Sequence, residues 1–177
     1  RTSELMTTLQ EIQNLKTHQD GDYFLTSLLI KPLGKNNNKS ERVHVEFITY
    51  QKKKFQFRSY KEEIGGDICV SYNITLRNRP MSVFLNADAM GKSMQGAGGA
   101  LVLGSVFQSI IQRTKYSHEM QEEYPEKWLR NTFVELHKVF ESFKGSMLVS
   151  ILMGLVEDDT GFMYYVNAEH PYTILYR

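Results

Sequence analysis

The sequence predicts an α+β fold: a sheet or sandwich of antiparallel strands covered by helices. Three observations predict it. Short runs rich in apolar and β-branched residues follow one another between Tyr23 and Asn86, separated by tight turns rather than by crossover helices. The apolar period then lengthens to that of helices between Gly98 and Phe143. From Met147 the strand pattern returns, in two runs flanking the hairpin loop Glu157-Asp158-Asp159-Thr160-Gly161.

In chain order, residues 1 to about 18 read as a helix with a narrow apolar stripe, Leu5, Leu9 and Ile12. That spacing suits either a dimer seam or a helix lying on the flank of its own domain. Asp20-Gly21 is expected to end it with a turn. Strands are expected at Tyr23–Lys31 and where Val43, Val45 and Phe47 alternate with His44 and Glu46. The polar stretch between them, with Asn36-Asn37-Asn38, reads as a flexible hairpin loop without chemistry. Further strands are expected at Lys54–Arg58, Ile68–Thr75 and Met81–Asn86, the last two joined by a turn through Arg77-Asn78-Arg79-Pro80.

Gly98 to Tyr116 reads as a helix. A second helix starts near Pro125, where a first-turn proline is tolerated. Leu129, Phe133, Leu136, Phe140 and Phe143 give it an apolar stripe that belongs to a core, with Gly145 as its C-terminal cap. Strands Met147–Val156 and Phe162–Ala168 follow, and a final strand begins near Tyr172.

Composition narrows the function classes. The 177 residues are 41% hydrophobic and 23% charged, an ordinary globular balance. Lys+Arg total 21 against 20 Asp+Glu, so no net field draws the chain to nucleic acid or anionic lipid. The run Lys52-Lys53-Lys54 is short and reads as a solvated strand entrance. A single cysteine, Cys69, forms no intramolecular disulfide, which fits a cytoplasmic setting; in its apolar strand it reads as a small buried hydrophobe. No signal peptide is apparent, and no apolar stretch suggests direct membrane insertion. Both ends read as cuts in a longer protein.

Two acids are candidates for chemistry. Asp67 follows Gly65-Gly66 where a strand begins, and Asp88 is carried by the apolar strand Met81–Leu85 into a glycine-containing loop leading to a helix. Acids at two strand ends can share one cleft, and hard cations such as Mg²⁺ and Mn²⁺ take oxygen donors of this kind. Taken singly, each acid equally suits a turn or a helix cap. Gly91-Lys92-Ser93 is not a phosphate-binding loop, because that loop needs glycine where Asn86 stands. The glycines Gly96, Gly98 and Gly99 fail the dinucleotide fingerprint and read as small residues for tight helix packing. The five histidines show no metal-ligand spacing, and no nucleophilic triad is visible.

The residues resemble a family. Gly65-Gly66-Asp67 is similar to the opening motif of SpoIIE/RsbU-type phosphatases, bacterial relatives of protein phosphatase 2C in the PPM superfamily. Asp88-Ala89-Met90-Gly91-Lys92-Ser93, with Gly96-Ala97-Gly98-Gly99-Ala100 after it, resembles that family's Asp-x-x-Gly-Lys-Gly loop and helix. Met147–Ser150 and Thr160–Pro171 resemble its next strands and its Ala-Gly-His-Pro turn. The resemblance implies an αββα sandwich, with residues 1–20 as a helical linker and 21–177 as a phosphatase domain incomplete at its C-terminal end.

It further implies two Mn²⁺ or Mg²⁺ ions, with Asp67 and Asp88 as carboxylate ligands and Ala89 offering its backbone carbonyl. The implied reaction is hydrolysis of phosphoserine or phosphothreonine on a regulatory protein, as the output of a bacterial signalling protein. An anti-sigma-factor antagonist is the implied substrate; the charge balance points to no nucleic-acid partner, and the Leu5, Leu9 and Ile12 stripe suits a homodimer through the N-terminal helix. Glu169 and Ser93 depart from the motifs, His170 reads as structural, and Asp158 and Asp159 read as solvated loop acids. Further acidic ligands are expected beyond residue 177. The alternative reading is a catalytically inactive module that serves protein–protein interaction or dimerisation.

Overall fold

Ten elements follow one another in a computed structural model that describes residues 2–176. They are α1 (Thr2–Ile30), β1 (Lys53–Phe57), β2 (Tyr60–Ile64), β3 (Asp67–Leu76), β4 (Arg79–Ala89), α2 (Met94–Tyr116), α3 (His118–Gln121), α4 (Pro125–Glu141), β5 (Val149–Glu157) and β6 (Met163–Ala168). The architecture is mixed α+β, with antiparallel sheets packed against helices as the sequence predicts. β1 and β2 form a hairpin of their own, and β3-β4-β5-β6 form a four-stranded antiparallel sheet in sequence order.

Alternation along the strands gives the larger sheet two unlike faces. Ile68, Val70, Tyr72, Met81, Val83, Leu85, Ile151, Met153 and Leu155 point to one side and are buried there. Leu103, Phe107, Ile110 and Ile111 of α2, with Trp128, Leu129 and Leu136 of α4, close this core. The Trp128 indole N–H is satisfied within it, donating to Thr114 Oγ1 at 2.8 Å. By length and composition α2 could cross a membrane, contrary to the sequence reading, yet its apolar side is spent on the sheet and half of it is buried. Gly99 lets α2 close on β4: a Cβ there would lie 2.6 Å from the Ala89 methyl.

The other face carries Asp67, Cys69, Ser71, Asn73, Ser82, Asn86, Asp88 and Ser150. The stretch with Asn36 and Asn38 is no idle loop, because it satisfies this face. Ser71 Oγ donates to Asn36 Oδ1, and Asn73 Nδ2 donates to Asn38 Oδ1 at 2.7 Å, with Ser82 Oγ 3.0 Å from the same oxygen. Asp158 belongs to the same network, accepting from Ser82 Oγ at 2.7 Å, and Asp159 pairs with Arg42. Asp158 is thus drawn into the polar face, where the sequence reads it as a solvated loop acid, whereas Asp159 is exposed, as the sequence reads it.

Other differences have local causes. The expected strand at Tyr23–Lys31 is helix, and Asp20-Gly21 does not interrupt it. Tyr23, Ser27 and Ile30 step by four and three; Tyr23 and Ile30 pack with Phe55, Ile64 and Phe57 and Ser27 is buried, while Leu25, Leu28 and Leu29 stay exposed. Leu5, Leu9 and Ile12 in the first half of α1 are exposed, so only the second half lies on the domain. Val43, Val45 and Phe47 are half-buried and their neighbours exposed, as alternation predicts, but they pair with no strand. β2 was not anticipated; Arg58, at φ 55°, makes the turn that starts it. α4 ends at Glu141, so Gly145, at φ 83°, closes the following turn rather than capping the helix. No strand forms in the described residues after β6.

Candidate functional site

The register of the sheet brings the two candidate acids together. Asp67 opens β3 and stands directly opposite Asp88 on β4, which stands opposite Ser150 on β5. Asp88 is thus inside a strand that runs on to Ala89, not in the loop the sequence suggests. Ala89 N–H donates to Gly66 O at 3.0 Å, so by alternation Asp67 and Asp88 occupy a close, non-hydrogen-bonded pair position. Like charges directly opposite on one sheet face are destabilising. Among the described residues neither carboxylate is in an ion pair that would relieve this.

A cleft of about 300 Å³ opens over the pair, walled by Ile48–Tyr50 on one side and by Ser150 and His170 on the other. Burial pushes the Asp67 carboxyl above the usual carboxylate range, and the neighbouring Asp88 pushes it further. Its own backbone N–H and His170 act the other way. Cys69 lies deeper in the cleft, where its thiol donates to Asn86 Oδ1 at 3.3 Å. It faces the polar side, so the reading of Cys69 as a core hydrophobe is corrected. Burial, with some help from Asp67, raises the thiol pKa although Thr49 bonds to it, so the sulfur is not an activated nucleophile.

His170, which the sequence reads as structural, lines the same cleft. Its Nδ1 lies 3.0 Å from Ser150 Oγ, and its backbone N–H donates to Asn167 Oδ1 at 3.0 Å. Asn167 also donates to Pro171 O at 3.1 Å, and Glu169 takes φ 55° to complete the turn. Only the register, which puts Ser150 across from Asp88, shows that this turn hangs over the acids. The polar residue at position 150 within an otherwise apolar strand was the available signal.

Gly66 has a steric role beside them. A Cβ there would lie 2.1 Å from Ala89 O, so the bare glycine leaves room for that carbonyl at the edge of the site. Gly66 N–H does not return the bond that Ala89 donates. Two carboxylates and a backbone carbonyl are hard oxygen donors suited to Mg²⁺ or Mn²⁺, which keep several waters and accept as few as one or two protein carboxylates. Among the described residues no third His, Cys, Asp or Glu side chain joins them closely enough to complete an all-protein site.

Antiparallel sheets backed by helices, with two acids paired at a strand end, are consistent with a protein phosphatase 2C-like domain. The family model described as Stage II sporulation protein E (SpoIIE) matches residues 81–177. The match covers more than half of the chain, and the chain belongs to that family, whose members are serine/threonine phosphatases of the 2C type. No individual curated protein matches the chain. Asp88, Ala89, Ser150 and His170 fall inside the matched segment, and Asp67 lies upstream of it.

Proposed function

We propose that this chain is a metal-dependent protein-serine/threonine phosphatase, the output part of a bacterial signalling protein, acting on a phosphorylated regulatory protein in the cytoplasm. The observation that supports it best is the pairing of Asp67 directly opposite Asp88 across β3 and β4. In this reading Asp67, Asp88 and the Ala89 carbonyl hold the cations. When bound, Mn²⁺ or Mg²⁺ supplies neutralisation of the phosphoryl charge and lowers the pKa of a water. Asp67 is held in place by its strand, and Asp88 faces the open cleft. Ser150 fixes the His170 ring on the opposite wall, where it can donate a hydrogen bond to a phosphoryl or leaving-group oxygen. The regulatory substrate implied by the resemblance is an anti-sigma-factor antagonist, and the exposed Leu5, Leu9 and Ile12 suit a homodimer through α1.

The test uses the full-length protein with Mn²⁺ and a phosphoserine protein or an aryl phosphate. Release of phosphate should depend on metal and fall at least about a hundredfold in Asp67→Asn and in Asp88→Asn, as expected when a principal electrostatic stabiliser is lost. Undiminished turnover in both variants sinks the assignment. The second reading, an inactive interaction module, draws on the finding that just two carboxylates converge among the described residues. It predicts no turnover and no stabilisation by Mn²⁺.

A further inference from the structure

β3 is an edge strand, and its first residue makes a contact upstream of the segment the family model matches. Because Asp67 is at a non-hydrogen-bonded position toward β4, its own backbone carbonyl points away from the sheet. Gln51 takes that carbonyl: its Nε2 donates to Asp67 O at 2.7 Å. The Gln51 backbone N–H donates to Glu63 Oε2 on β2, also at 2.7 Å. One residue therefore ties the β1–β2 hairpin to the start of β3.

The orientation of this amide is informative. Gln51 Oε1 is the single buried side-chain polar atom without a hydrogen-bond partner among the described residues. An unsatisfied buried acceptor is costly, and one in a native structure calls for a reason. Turned over, the amide would set its oxygen against the Asp67 carbonyl, so the bond to Asp67 dictates which end is left unpaired. Gly65 accommodates it: a Cβ there would lie 2.0 Å from Gln51 Oε1. Gly65 does not adopt a positive φ, so its bareness serves space rather than backbone conformation.

We propose that Gln51 is a positioning residue for Asp67, holding that acid in register with Asp88, and that Gly65 is glycine in order to admit the Gln51 amide. The consequence for metal rests on the phosphatase reading, whereas the clamp itself does not. Gln51→Met removes the amide at similar length, and Gly65→Ala displaces the amide while leaving its chemistry intact. The Ala89 amide, bonded to Gly66 O, reports on the end of β3 by hydrogen exchange in metal-free protein.

Each single variant should speed Ala89 exchange about tenfold, the scale of one lost hydrogen bond. Each should also weaken Mn²⁺ binding by calorimetry about 10–100-fold, as loss of a ligand's supporting partner does. The melting temperature should stay close to that of the parent, and the double variant should be no worse than either single one. Parental Ala89 exchange in Gln51→Met overturns the clamp, and additive effects in the double variant overturn the role of Gly65. Faster exchange with unchanged Mn²⁺ affinity overturns positioning in favour of a purely structural contact. If the parent itself binds no Mn²⁺, the phosphatase reading fails, and Ala89 exchange still decides the clamp.

Discussion

The same four strands present an apolar face to α2 and α4 and a polar face to the segment between Gly34 and Gln51. The first is closed chiefly by side chains from regular helices, with Leu33 added from the turn after α1; even its one indole N–H finds a hydroxyl inside the core. The second is closed by hydrogen bonds from irregular chain, supplied by Asn36, Asn38 and Gln51. Apolar burial is non-directional and tolerates small shifts, whereas each bond on the polar face needs its partner in place. The face that holds the acids is thus the one whose geometry depends on distant residues.

If that division is right, the largest loss of stability comes from the apolar face. Phe107 is fully buried and packs near Tyr72, with ring centroids 6.3 Å apart. Phe107→Ala should cost about 3–5 kcal/mol in urea unfolding, by lost transfer energy and the cavity left behind. Asn38→Ala probes the polar face. Its Oδ1 accepts from Asn73 and lies 3.0 Å from Ser82 Oγ, and its Nδ2 donates to Val43 O at 2.6 Å. Removing it should cost about 1–3 kcal/mol, the range for a buried polar group stripped of its partner. Proteolysis within residues 36–51 should rise with it, while the Phe107 variant should raise cleavage everywhere. A uniform response to Asn38→Ala would erase the distinction between the faces.

The apolar face was legible in sequence because its signals are periodic. The alternation in Ile68–Thr75 and the four-and-three steps from Leu129 to Phe140 each point at a core without knowledge of the partner. The candidate site was legible only as two acids, each beside glycine. What brings them together is register, and register is a property of pairs of strands. The placement of Ser150, His170 and Gln51 beside the acids was illegible for that reason: no local pattern links position 150 to 88, or position 51 to 67. The misreading of Tyr23–Lys31 has another cause. Its run of apolar residues is as compatible with a short strand as with a helix, and packing on Phe55 and Phe57 decided for helix. β2 was missed because Tyr60-Lys61-Glu62-Glu63 carries charges in place of an apolar alternation, the strand lying in a small hairpin and burying little beyond Ile64.

The smallest expected effect separates stability from function on the polar face. Burial and the adjacent Asp88 raise the Asp67 pKa in the folded chain. A carboxyl whose folded pKa lies above its unfolded value favours the fold while it is protonated, and that advantage is lost as pH rises through the folded pKa. At neutral pH ionised Asp67 is therefore a burden on the metal-free protein. Asp67→Asn should make it more stable there, by less than about 1 kcal/mol since the group is only half-buried and solvent screens it. The gain should vanish below about pH 3, where the carboxyl is neutral in both states. Saturating Mn²⁺ should reverse the order: the parent gains about 2.7 kcal/mol at a hundred times its dissociation constant, and the variant gains little. Melting curves at pH 7 with and without Mn²⁺ measure both terms. An Asp67→Asn protein that is less stable without metal would mean that the acid is held for the fold and not for a cation.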